Sequence, residues 1–154
     1  VKKQRIYVDT SIFGGLYDEE FKEFTVPLFE RIKNSEFLFI HSNITEQELE
    51  NALNKIKETN KLLPKSSTEY VKSDIETVSL AKRYIEERVV GATSYVDCLH
   101  IALATKYNAN ILVSWNFKHI VNVVRIVGYN SVNTAEGYKP IDIRSPRELI
   151  NYEN

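Results

Sequence analysis

The sequence predicts an α/β fold in which a short parallel sheet is covered by helices on both faces. Two observations carry this. Three apolar runs, Arg5-Ile6-Tyr7-Val8, Phe37-Leu38-Phe39-Ile40 and Ile111-Leu112-Val113, lack polar alternation, as strands buried on both faces do. Between them lie segments whose apolar residues recur at helical spacing, and strand-then-helix alternation builds βαβ units with right-handed crossovers.

Taken in order, the first strand runs into Asp9-Thr10-Ser11. Phe21, Phe24, Leu28 and Ile32 then mark a helix, in which Pro27 must sit in a first turn or introduce a kink. After the second strand, Leu49, Ala52, Leu53 and Ile56 follow an i, i+3, i+4, i+7 stripe. Residues 61–68, with Pro64, read as a loop. Ile75, Val78, Ala81, Ile85 and Val89 predict the next helix, and Val96, Leu99, Leu103 and Tyr107 another. Ile101, Ala102 and Ala104 make this last helix apolar nearly all round, so it belongs at the centre. Ile141–Ile143 is a short strand, and Ser145-Pro146 opens a final helix with proline at its first position. No repeat, low-complexity tract or long linker divides the chain, so residues 1–154 are expected to form one domain.

Composition bounds the function. The chain is 43% hydrophobic and 27% charged, which argues against disorder. A domain of this length buries roughly 70% of the surface its unfolded chain exposes. Cys98 stands alone, which excludes an internal disulfide framework and fits a reducing compartment. No stretch approaches the ~20 apolar residues of a membrane span, and Asp9 interrupts the N-terminal apolar run. The expectation is a cytoplasmic protein with no membrane partner. The formal net charge of −1 leaves no bulk attraction to phosphate backbones, so a nucleic-acid ligand would need local patches and a metal.

The candidate chemistry lies at strand ends and helix starts. Asp9 ends the first strand, where open parallel sheets place their ligands. A carboxylate buried there needs a metal or a basic partner, unless it is simply a helix N-cap. Glu48 follows Thr45 by three residues, a spacing that suits a capping box as well as a site. Ser94-x-x-Asp97 repeats the pattern at the start of the most apolar helix, an odd place for a charge unless it faces a cleft. His100, one turn on, either reaches the same mouth or is a hydrogen-bonded histidine at the core edge. Cys98 reads as core filler. After the third strand come Ser114-Trp115-Asn116-Phe117-Lys118-His119. Here Asn116 is a turn residue or a carbonyl ligand, Trp115 a packing residue or a base-stacking one, and Lys118 and His119 solvated groups or phosphate contacts. Together the set is rich in hard oxygen donors and has no Cys/His cluster, which selects Mg²⁺ or Mn²⁺ over zinc.

Tyr7-Val8-Asp9-Thr10-Ser11-Ile12, Ser42 through Glu48-Leu49, Val96-Asp97-Cys98-Leu99-His100-Ile101-Ala102 and Val113-Ser114-Trp115-Asn116-Phe117 resemble, in series, the PIN-domain family, including the toxin subunits of VapBC type II toxin–antitoxin systems. The order agrees over roughly residues 5–150, with Trp-Asn-Phe marking a subgroup. The resemblance implies a three-layer α/β/α fold and a Mg²⁺- or Mn²⁺-dependent ribonuclease. It implies Asp9 and Asp97 as metal ligands, and Glu48 ordering the metal and its water, with Glu46 as substitute if the second motif is shifted. Ser11 and Ser114 would support the substrate. Asn116 completes the set, where much of the family has a further aspartate. An antitoxin and a homodimer are the partners implied, besides RNA. Two other readings stand beside this one. The chain could be a non-catalytic module of the same fold that binds RNA or protein. It could also be an aspartyl-nucleophile phosphatase, which needs a second aspartate where Ser11 stands. Phe13, Tyr17, Phe21 and Phe24 are expected in the core, ahead of a dimer surface or an antitoxin groove.

Overall fold

Arg5–Val8 forms strand β1, and it lies at the middle of the sheet. The computed structural model describes residues 3–152. After β1 come helices α1 (Thr10–Gly15) and α2 (Lys22–Lys33), strand β2 (Leu38–Ser42), and helices α3 (Asn43–Glu50) and α4 (Asn54–Asn60). Strand β3 (Thr68–Val71) leads to α5 (Ile75–Glu86), α6 (Tyr95–Lys106), β4 (Ile111–Val113), α7 (Val123–Ala135), β5 (Asp142–Arg144) and α8 (Pro146–Tyr152). The strands are ordered β3-β2-β1-β4-β5, and every neighbouring pair is parallel.

Side chains alternate along a strand, so each strand feeds two cores. Tyr7, Ile40, Leu112 and Ile143 meet α5, α6 and α7 on one face. Ile6, Val8, Phe39 and Val113 meet α1 and α2 on the other, with Leu149 of α8. The architecture is the expected three-layer α/β/α one. α6 buries every residue from Cys98 to Thr105, as its unbroken apolar sequence requires.

The same alternation prepares the site. With Tyr7 on the α6 face, Asp9 two residues on continues that face beyond the strand. Tyr7 pairs in register with both Ile40 and Leu112, so Ser42 and Ser114 occupy equivalent positions on the flanking strands.

Several elements depart from the sequence reading. The stripe from Leu49 to Ile56 is two helices, because the chain breaks between Glu50 and Asn54. Residues 61–68 are not wholly loop: Thr68 opens edge strand β3, whose Glu69 and Tyr70 are exposed and so lack the apolar run of a central strand. Pro27 lies in the interior of α2, past its first turn, and removes one backbone donor from it. α7 has no counterpart in the reading. Its Val123, Val124 and Val127 are exposed while Tyr129, Val132 and Asn133 are buried, which inverts the expected polarity. Gly128 lies inside this helix where Val89 packs against it: a Cβ would stand 2.8 Å from Val89 Cγ1. Among the aromatics expected inside, Phe13 is fully buried, Phe21 and Phe24 partly, and Tyr17 is exposed. Among the described residues no helix is long and apolar enough to cross a membrane.

Candidate active site

Asp9 ends β1 with only 4% of its surface exposed. It stands at the N-cap of α1, yet its carboxylate makes no cap hydrogen bond. Ser11 donates to Oδ1 at 2.5 Å, and Ser114 donates to Oδ2 at 2.8 Å. Each serine is held in turn by backbone: Trp115 N–H donates to Ser11 Oγ and Asn116 N–H to Ser114 Oγ, both at 2.9 Å. Ser114 is fully buried and braces Asp9, so any support it lends a substrate acts through that carboxylate. The two capping alternatives for Glu48 and Asp97 also fail. α3 starts earlier than Thr45 and is capped by Ser42, whose Oγ accepts from Thr45 N. Ser94 caps nothing through its side chain, and Asp97 lies in the first turn of α6.

Glu48 reaches the same rim from α3. Its Oε1 accepts from Thr10 Oγ1 and lies the same 2.6 Å from His100 Nε2. Glu46 turns the other way, to His41 at 2.9 Å, on the opposite sheet face beside Phe13 and Phe39. Asn116 uses its Oδ1 to accept from His119 N–H at 2.9 Å, which closes the turn after β4. That leaves the amide NH₂ to favour the ionised form of Asp97, whose carboxyl Asn116 helps to hold down. Asn116 thus fills the turn role that the sequence offered beside that of a carbonyl ligand.

Electrostatics tie these groups together. Burial pushes the Asp9 carboxyl above its ordinary range, against His100 and the two serine hydroxyls, and Asp97 adds to the rise. Burial also raises Asp97, against His100, His119 and Asn116, with Glu48 adding to the rise. Burial acts upward on Glu48 too, but the hydrogen bonds from His100 and Thr10 prevail and hold it low. Among the described residues neither Asp9 nor Asp97 forms an ion pair with Lys or Arg. Two carboxylates thus share one rim without a full counter-charge.

The remaining donors narrow what could neutralise them. Both nitrogens of His100 are engaged, Nδ1 with Tyr7 and Nε2 with Glu48. Cys98 is buried, and its thiol is pushed up to about 12, so it offers no thiolate. The ligand atoms that remain are carboxylate oxygens, which suit a hard divalent cation, and Nδ1 of His119, unpartnered among the described residues. Among the described residues no three His, Cys, Asp or Glu side chains are grouped to hold a metal together. The carboxylate pair suits a cation that keeps much of its water. Trp115 is a packing residue: it stacks on Phe21 with centroids 4.2 Å apart and donates from Nε1 to Thr25. Lys118 is exposed and His119 half-buried at the rim.

Residues 6–118 match the family model described as the PIN domain. The chain belongs to the PIN-domain family. Among solved structures, this PIN domain is similar to a chain of VapBC2 from Rickettsia felis bound to a DNA fragment from their promoter. The two are 16% identical with a TM-score of 0.53, over 92% of this chain and 98% of that one. At that identity the likeness is one of fold. No curated protein matches the chain.

Two residues of this rim carry no sequence signal of their own. Tyr7 and Ser42 look like strand filler. Their only clue is parity, two residues before Asp9 and two after Ile40.

Proposed function

We propose that this PIN domain is a Mg²⁺- or Mn²⁺-dependent endoribonuclease and the toxin of a type II toxin–antitoxin pair. The single observation that carries the reading is the pair Asp9 and Asp97, two carboxylates at the carboxyl end of a parallel sheet that, among the described residues, form no ion pair with Lys or Arg. Family membership supports nuclease chemistry, and the fold likeness to VapBC2 supports an antitoxin partner; a homodimer is proposed on the family resemblance alone.

In this reading Asp9 and Asp97 hold the cation. When bound, it would supply Lewis-acid stabilisation of charge at a scissile phosphate and lower the pKa of water. Ser11 and Ser114 keep both Asp9 oxygens in place, and Asn116 does the same for Asp97. Glu48, held ionised, is the group able to orient a water and accept its proton. Lys118 and His119 stand nearby as phosphate contacts, the local patch that a chain of net charge −1 requires.

The purified protein is expected to cut RNA only with Mg²⁺ or Mn²⁺, and Asp9→Asn or Asp97→Asn to lower the rate at least about 100-fold. Lack of cleavage across a broad RNA panel with either metal would end this reading. A second reading, a non-catalytic RNA- or protein-binding module, draws on Asn116, which is an amide engaged with Asp97. RNA binding unchanged by EDTA and by Asp9→Asn would favour it.

A further inference from the structure

Behind Glu48 runs a chain of hydrogen bonds with one internally consistent direction. The Glu48 carboxylate can only accept, so His100 donates from Nε2 at 2.6 Å. Where the ring carries its proton on Nε2 alone, Nδ1 is an acceptor and the Tyr7 hydroxyl donates to it at 2.6 Å. The Tyr7 oxygen accepts from Ser42 Oγ at 2.8 Å, and Ser42 Oγ accepts from Thr45 N–H at 3.2 Å. Tyr7, Ser42, Thr45 and His100 are all buried, His100 to 2% exposure, whereas Glu48 is not. The chain therefore starts in the core and ends at the rim. Thr10 and His100 both act on Oε1, and among the described residues Oε2 accepts nothing.

We infer that His100 is a positioning residue: oriented by Tyr7, it locks Glu48 through Oε1 so that Oε2 faces the rim shared with Asp9 and Asp97. This rests on the metal-dependent reading above and adds to it a role for two residues that do not themselves face a ligand. A histidine whose ring orientation is set from behind is a stiffer support than an exposed lysine, because both ends of the ring are tied. Filling the core is the competing role, and it predicts different measurements.

The test combines Mn²⁺ calorimetry, RNA-cleavage kinetics and ¹⁵N-histidine NMR on the full chain. In the wild type, the His100 spectrum is expected to show protonated Nε2 and unprotonated Nδ1; the opposite tautomer would overturn the inference. His100→Ala is expected to weaken Mn²⁺ binding about tenfold or more and to lower kcat by a similar factor, with KM for RNA changed less than about twofold. His100→Gln, which retains an N–H donor, recovers most of the affinity. Tyr7→Phe, which retains the ring and its packing, shifts Mn²⁺ binding in the same direction by a smaller factor. If folded His100→Ala, or Tyr7→Phe should His100→Ala not fold, binds Mn²⁺ and turns over as the wild type does, the residue only fills space. A wild type that binds no Mn²⁺ overturns the metal reading itself, a result distinct from equal binding by wild type and variants.

Discussion

Ser114 is fully buried and serves two partners: it donates to Asp9 and accepts from Asn116 N–H. Ser114→Ala leaves one carboxylate oxygen and one backbone donor short, and is expected to cost about 1–3 kcal/mol. Urea unfolding at neutral pH measures it, and a loss under about 0.5 kcal/mol would contradict the bracing role. Asn116 makes a complementary case. Asn116→Asp retains the oxygen that accepts from His119 N–H but replaces the donor to Asp97 with a like charge. Without divalent cation, melting should fall by the equivalent of about 1 kcal/mol. With Mn²⁺ the added carboxylate should reverse the loss, since ligand charge strengthens hard-cation sites. A variant equally stable with and without Mn²⁺ would show that Asn116 does not border a cation. The sequence offered Asp9, Glu48 and Asp97 as candidates with helix capping as the alternative for each. It could not choose, because Ser-x-x-Asp and Thr-x-x-Glu spacing is the same whether the carboxylate turns to its own backbone or to another element.

At the scale of elements, α5 is a helix whose start is unusually well tied. Asp74 accepts from Thr77 N–H while Thr77 Oγ1 accepts from Asp74 N–H, and Lys106 of α6 pairs with the same carboxylate. The Lys106 contact and then the Thr77 amide hold the Asp74 carboxyl below its usual range. A carboxyl lowered in the folded state lends stability above its unfolded pKa and loses it as pH falls through the folded value. Asp74→Ala should therefore cost about 1 kcal/mol at pH 7, and the gap from wild type should narrow below about pH 4. Urea titrations at pH 7 and pH 3 decide it; a gap that widens in acid would refute the assignment. α1 is limited in another way. A Cβ on Gly15 would stand 2.7 Å from Trp115 Nε1 and 2.8 Å from Thr25 Oγ1. Gly15→Ala is expected to destabilise by about 1–3 kcal/mol, with altered emission from the lone tryptophan. Both β1 and α6 were legible because their apolar runs are local. β3 and α7 were not, since an exposed edge strand and a helix that shows its valines to solvent lack the patterns that announce such elements.

For the whole molecule, β1 feeds both cores and α6 fills one of them, and the two meet at the rim, so the parts that hold the site are also deeply buried. Amide exchange should be slowest in these two elements and faster in α4 and β3, which lie outward; slowest exchange in α4 would contradict this. If residues 1–154 form one domain, as proposed, fluorescence of Trp115 and far-ultraviolet circular dichroism should report one coincident unfolding transition. Two separated transitions would count against it. The sequence by itself determined the alternation of strands and helices, the central apolar helix and the carboxylates worth watching, because those signals are short-range: unbroken apolar runs, the 3.6-residue period and the polar residues that end them. Tertiary structure alone decided which carboxylates face one another, that Glu48 and not Glu46 joins them, and that Asn116 closes the turn after β4 through His119 N–H. The first two outcomes depend on strand order and register, and contacts between residues some forty to one hundred positions apart leave no mark on the local pattern.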